Sequence, residues 1–429
     1  MIAPRFGFAY DVLGNGRSVL RGGTGKFFSY MPAILLSNPL TQISGNFNQV
    51  SIANCNLATN PVPCPVYPNL LTPAQFGVLA RTGTDVVTIG PGYEAQEAWR
   101  SSLQFEQQIG STYSAAAGLI YQKTTKVQGT RNINAVPLGI SFGNVPLYTT
   151  NSPNRRYNDM GVVRELFSDE EATYRALTLE THKLAVNNSK FSWDLSYTWS
   201  KSIDQDSNER STSTSFLYDP NNLDLSEGPS DNDVRHRVVG DVTYRLPWGF
   251  TVSAIGSWRT GTPYTAGNSF AGAMNINGLT QTSGNIPVFV NSNGDIIDLA
   301  AFSGTAATSK TRAEIAAFLA AQGARIIGRN TERQNDVWNA DLRLAKTFGL
   351  PRGLEIEILG EVFNLFNVKN RFIGAANQAV FNWVYTAATD KYVITKVNFA
   401  DGTPRFGVAS GYEASVDPRQ FQVAAKVRF

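Results

Sequence analysis

The chain has 429 residues, of which 37 are basic and 34 acidic, for a formal net charge of +3. That length fits one large β unit, and near-balanced charge without a lysine- or arginine-rich run argues against nucleic acid as a partner. No stretch approaches the roughly 18 to 20 apolar residues of a membrane-spanning helix, whereas the slightly negative mean hydropathy suits a barrel whose lipid-facing and lumen-facing residues cancel along each strand.

From Met1 to Asp11 no continuous apolar segment precedes a small-residue cleavage site, so the start does not read as a secretory signal. Strand-like segments fall near 5–12 and 18–28, joined by Gly14-Asn15-Gly16. Gly22-Gly23-Thr24-Gly25-Lys26 has the look of a phosphate loop, yet that spacing needs Gly where Leu20 stands and Ser or Thr where Phe27 stands. Its glycines read instead as small residues of a curved strand facing an aromatic neighbour. Cys55 and Cys64 are the only cysteines and lie in a Pro- and Asn-rich loop. The favoured reading there is an extracellular disulfide, and the plainer one is two separate thiols.

Segments 97–109 and 112–124 flank Gly110-Ser111, and 172–186 and 190–202 flank Asn187-Asn188. In the last of these Phe191, Trp193, Leu195, Tyr197 and Trp199 alternate with Ser192, Asp194, Ser196, Thr198 and Ser200. A soluble strand also alternates, but it has no reason to place aromatics at both ends. The pairs Tyr113 and Tyr121, Phe191 and Trp199, Phe250 and Trp258, and Phe421 and Phe429 each lie eight residues apart on one face, enclosing mostly Ala, Val, Leu or Gly. Eight residues at about 3.3 Å, tilted about 40°, rise roughly 20 Å, close to an apolar band between two aromatic girdles. The girdle candidates are therefore Tyr113, Tyr121, Phe191, Trp193, Tyr197, Trp199, Phe250 and Trp258, joined by Trp338 and Phe348 of a further alternating strand. Lys346 sits near that strand's end, where its ammonium can snorkel to the interface.

The loop at 203–234 carries Asp204, Asp206, Glu209, Asp219, Asp224, Glu227, Asp231 and Asp233 against Arg210. A divalent cation is one reading, but the spacing lacks the Gly and terminal Glu of a calcium loop, and a solvated acidic loop is the commoner case. His182 and His236 are the only histidines, both on expected strands and without metal-ligand spacing, so each reads as a wall residue. Segments 235–246 and 250–260 flank Pro247-Trp248-Gly249. In the following loop, Thr311-Arg312-Ala313-Glu314 with Ile315, Phe318 and Leu319 predicts a capping box and a short amphipathic helix. Segments 336–348 and 354–366 flank Pro351-Arg352-Gly353, and 416–429 ends the chain. The eleven segments alternate short turns with connections of about 30 to about 75 residues. All short turns then lie at one end, which predicts an antiparallel transmembrane β-barrel with short periplasmic turns and long extracellular loops. Bacterial single-chain barrels have even strand counts and plugged transporters about 22, so eleven strands fit half of such a barrel.

Several phrases carry a family resemblance: Pro4-Arg5-Phe6-Gly7-Phe8-Ala9-Tyr10-Asp11, Leu20-Arg21-Gly22-Gly23, Tyr197-Thr198-Trp199-Ser200-Lys201-Ser202, Asp233-Val234-Arg235-His236-Arg237 and Glu361-Val362-Phe363-Asn364-Leu365-Phe366-Asn367. They resemble the barrel of Oar-like TonB-dependent transporters, in order and over most of the strands. Asn364-Leu365-Phe366-Asn367 looks like the penultimate-strand signature of the wider family. The final strand, with Phe421, Val423, Val427 and Phe429, resembles the signal read by the barrel-assembly machinery. The resemblance implies that residues 1–429 are the C-terminal portion of a barrel domain. The signal peptide, a regulatory-like domain, the plug and the TonB-binding box would lie outside them.

The expected function is a wall segment of an outer-membrane transporter taking up a substrate the sequence does not name. Its expected partners are outer-membrane lipid, the assembly machinery and, through the plug alone, the TonB complex. No enzyme activity, cofactor or metal is expected. The alternative is a structural or adhesive outer-membrane protein whose long loops bind surfaces or partners, with a soluble all-β binding protein third.

Overall fold

The computed structural model describes residues 2–30, 72, 84–149, 154–158, 160–186, 189–207, 218–219, 221–271, 286–302, 309–386, 389 and 391–429. Cys55, Cys64, Glu209, Arg210, Asn187 and Asn188 fall outside them. Eleven strands follow one another, each antiparallel to the last: β1 (Arg5–Asp11), β2 (Ser18–Phe28), β3 (Glu97–Ile109), β4 (Tyr113–Asn132), β5 (Met160–Lys183), β6 (Phe191–Asp204), β7 (His236–Arg245), β8 (Phe250–Arg259), β9 (Val337–Gly349), β10 (Glu355–Phe363) and β11 (Gln420–Arg428). Among the described residues, β1 and β11 are paired on one side only. No helix among the described residues is long and apolar enough to cross a membrane.

Because side chains alternate with a period of two, the register decides which face each residue takes. One row runs Tyr10, Leu20, Phe105, Ala117, Leu179, Tyr197, Val238, Trp258 and Trp338 across nine strands. A second runs Ala116, Glu180, Ser196, Val239, Ser257 and Asn339 on the opposite face. The odd residues of 191–199 therefore share the apolar face, and Ser192, Asp194, Ser196 and Thr198 the polar one.

Turn chemistry fixes this register. In Pro247-Trp248-Gly249, Trp248 has φ 61° and Gly249 φ 78°; in Pro351-Arg352-Gly353 the matching values are 68° and 81°. Two successive positive φ values match the twist of a tight hairpin. The chain closes identically in both, Leu246 N–H donating to Phe250 O at 2.9 Å and Leu350 N–H to Leu354 O at 2.7 Å.

Several boundaries differ from the sequence expectation. β4, expected at 112–124, runs on to Asn132, and β5, expected at 172–186, begins at Met160 and stops at Lys183. Their upper parts remain paired with each other beyond a bulge. There Val162, Val163, Leu166 and Phe167 are buried, so the apolar residues run consecutively and period-two alternation is lost. β10, expected to reach 366, stops at Phe363 because Asn364 takes φ 49° and Asn367 φ 50°. The Asn364 side chain then bridges the loop, donating to Val368 O and Asp417 O and accepting from Val368 N–H. β11 begins at Gln420, not 416. The expectation of antiparallel neighbours throughout also needs correction: Thr84–Ile89 pairs parallel with the upper part of β5, and Gly267–Ala271 pairs parallel with Ala379–Thr386 in the loops.

The long connections are themselves folded. Phe142 and Leu147, Tyr218, Phe289 and Leu319, and Trp383 come from four different loops and share one hydrophobic core. The helix α1 (Arg312–Ala321) forms as expected from its capping box. Glu314 N–H donates to Thr311 Oγ1 at 3.3 Å and Thr311 N–H to Glu314 Oε2 at 2.8 Å. It buries Ile315 and Leu319 in the loop core, and Phe318 meets Phe302 edge-on at 4.9 Å.

Candidate conduit wall and loop cap

The apolar face is bounded by two aromatic rows. Near the short turns, Tyr113 and Phe191 flank Trp193, with ring centroids at 5.3 and 5.2 Å, and Phe191 meets Tyr244 at 6.1 Å. Lys183 Nζ lies 5.0, 5.6 and 5.5 Å from the Tyr113, Phe191 and Trp193 rings. Lys346 Nζ lies 4.5 Å from Phe250 and 5.3 Å from Phe348. These cations keep their stems on apolar surface and their heads over the aromatic rings. At the far row His236 stacks between Tyr197 at 6.1 Å and Trp258 at 6.4 Å, and Trp338 packs on Phe366 at 5.7 Å. Trp199 is the direct cross-strand partner of His236, and Tyr121 lies in the next row, opposite Arg175.

The polar face carries several ion pairs. Arg21 meets Glu106 at 2.5 Å, Arg343 meets Glu357 at 2.7 Å, and Arg428 reaches the same Glu357 at 3.1 Å. A recess of about 440 Å³ is lined by Arg21, Arg100, Gln104, Gly118, Thr178 and Glu180. Gly118 leaves it open, since a Cβ there would come within 2.6 Å of Thr178 Oγ1. Phe421, Val423 and Val427 of β11 oppose Val362, Gly360 and Ile356 of β10.

Above the far aromatic row a buried polar junction joins the wall to the loops. Arg329 is 4% exposed. It binds the Asp204 carboxylate, Asp204 O at 2.7 Å, Ser226 O at 3.0 Å and Ser207 Oγ at 3.1 Å. Asp233 is equally buried; it accepts from Ser202 N–H at 2.6 Å and Arg235 at 3.0 Å, and pairs with Arg333. Asp219 accepts from the Tyr148 hydroxyl at 2.9 Å, and burial, with that carboxylate alongside, pushes Tyr148 up to about 12. Asp204, Asp219 and Asp233 thus serve protein donors, and among the described residues no set of three His, Cys, Asp or Glu can hold a metal ion.

Sequence reasoning missed Glu170. It lies on the part of β5 that rises beyond the far aromatic row, fully buried, with both carboxyl oxygens lacking a hydrogen-bond partner. Burial, then Asp206 and Asp204, pushes its carboxyl up to about 10. A neutral acid costs far less to bury than a carboxylate. No local pattern flags it, because its surroundings come from residues distant in sequence.

The description "Outer membrane beta barrel domain" matches residues 1–422, and the chain belongs to that family. It is an outer-membrane β-barrel chain, with its apolar face lying between the two aromatic rows. No curated protein matches it. Similar solved structures include the outer membrane transporter YddB from Escherichia coli, at TM-score 0.46 and 10% identity over 92% of this chain and 39% of that one. The FrpB iron transporter from Neisseria meningitidis has TM-score 0.39 and 11% identity, over 99% and 38%. The ferric-catecholate import receptor Fiu from E. coli has TM-score 0.39 and 8% identity, over 98% and 34%. The chain spans between 34% and 39% of these proteins.

Proposed function

We propose that residues 1–429 form part of the wall of an energised outer-membrane transporter, the C-terminal portion of a TonB-dependent barrel of the Oar-like kind. The observation that carries this reading is the sheet itself: one apolar face, one polar face with ion pairs and, among the described residues, end strands each bonded on one side. Each backbone group left bare in hydrocarbon costs several kcal/mol, so a closed wall needs further strands, and plugged transporters have about 22. The Oar-like phrases support the finer reading, since Asp233 and Asn364 within them sit at loop junctions. In this reading TonB acts through a plug elsewhere in the whole protein, and the assembly machinery reads Phe421, Val423, Val427 and Phe429.

In this reading the wall makes and breaks no bond, and His182, within hydrogen-bond distance of Ser114 Oγ at 2.9 Å, is a wall residue. The test is to purify the full-length gene product from outer membranes and measure retention of the TonB C-terminal domain, alongside nutrient uptake by cells with and without TonB. Retention and TonB-dependent uptake are expected. A gene product that closes a barrel from these eleven strands alone, with uptake unaffected by TonB, overturns the reading.

The adhesive alternative is favoured by one observation, the common core of the four loops, which presents a folded outer surface. It predicts that cells lacking the gene lose attachment while uptake is unchanged.

A further inference from the structure

Toward the far rim of the sheet stand Lys26 on β2, Lys123 and Lys126 on β4, Arg175 on β5 and Lys201 on β6. Three are neutralised individually. Lys26 meets Glu97 at 2.9 Å, Lys123 meets Glu171 at 2.8 Å, and Lys126 pairs with Glu94 and, at 3.4 Å, Glu97. Arg175 and Lys201 differ. They are direct cross-strand partners on the face that carries Leu177 and Trp199, and both are exposed. Among the described residues neither has a carboxylate within ion-pair distance, and the Arg175 guanidinium lies 5.7 Å from the ring of Tyr121, its neighbour on the other side. Like charges set directly opposite in an antiparallel pair are destabilising. Two such cations at the level where acyl chains give way to headgroups match an anion carried by the lipid.

We propose that Arg175 and Lys201 form a binding site for the phosphate group of an outer-leaflet glycolipid. The guanidinium offers a planar fork to two phosphate oxygens and the ammonium a point charge to the third. The acyl chains then lie on Leu119, Leu177, Leu179 and Leu195 below. The pair faces the membrane and not the conduit, so the phosphate belongs to a lipid and not to a solute in transit. This inference rests on the outer-membrane location and is independent of what the barrel transports.

The experiment uses the full-length protein extracted folded from outer membranes, with native mass spectrometry following retention of diphosphorylated lipid A. Dephosphorylated lipid A and inorganic phosphate serve as comparisons. Wild type and Lys123→Gln are expected to retain the diphosphorylated lipid equally. The double variant Arg175→Gln with Lys201→Gln should hold it about 25-fold more weakly, from about fivefold per basic residue near a lipid surface. Inorganic phosphate should not compete. In lipid-free detergent the double variant should melt no lower than wild type, because its only loss there is repulsion. Equal retention by the double variant, equal retention of the dephosphorylated lipid, competition by inorganic phosphate, or a double variant that is misfolded or less stable without lipid would each overturn the proposal.

Discussion

Leu195 tests the assignment of faces most directly. It lies midway between Phe191 and Trp199, cross-strand from Thr181 and Gly240, and is 46% exposed on the apolar face. Four residues at about 3.3 Å, tilted about 40°, place it roughly 10 Å from either aromatic row, too deep for an arginine to reach the interface without distortion. Leu195→Arg should therefore carry the near-midplane penalty of about 2 to 4 kcal/mol, or roughly 30- to 700-fold in the folding equilibrium. Ser196, one residue on, faces the polar side opposite Glu180, and Ser196→Arg gains a carboxylate neighbour and should be near neutral. Urea titration of folding into lipid vesicles, read by heat-modifiable migration and tryptophan emission, measures both. Equal penalties, or a larger one at Ser196, would refute the assignment.

Removing the Arg329 side chain should loosen the loops without opening the sheet. Arg329→Met leaves the Asp204 carboxylate buried and uncompensated, at about 3 to 5 kcal/mol, seen as faster amide exchange across 218–235 and 325–333 with β6 to β9 unchanged. Glu170→Gln keeps shape and neutrality, so exchange in the upper parts of β4 and β5 should match wild type, whereas rapid exchange there would mean that the carboxyl is ionised in the folded protein. The folded Tyr148 value, about 12, lies above the ordinary 10.0. Its contribution is complete below pH 10 and disappears as pH rises through about 12, so Tyr148→Phe should flatten an alkaline loosening of the loops between these limits. A Cys55–Cys64 disulfide would close a short loop in an oxidising compartment, and both cysteines should then resist alkylation until reduced; immediate labelling of both would remove the disulfide.

The faces were legible because Phe191 to Trp199 alternates without a break, and because Pro247-Trp248-Gly249 and Pro351-Arg352-Gly353 pin the register at each hairpin. The capping box of Thr311 and Glu314 was equally readable, being a contact across three residues. The upper parts of β4 and β5 were not, since burial on both sides erases the period-two signal around Val162 to Phe167. Nor was the Arg329 junction, whose partners Asp204 and Ser226 lie more than a hundred residues away. Such contacts follow from which loops meet, and no spacing in the chain encodes that meeting.

The shared core of the loops also bears on how this surface can change. Phe142, Tyr218, Phe289 and Trp383 stand in four separate stretches of sequence yet fill one interior, so none of these connections varies independently of the others. Grafting one loop from a relative would leave voids and overlaps where the remaining three expect its side chains, while exchanging all four together would carry the interior intact. Antibodies raised against any one loop as a free peptide would meet a shape that the assembled cap does not display.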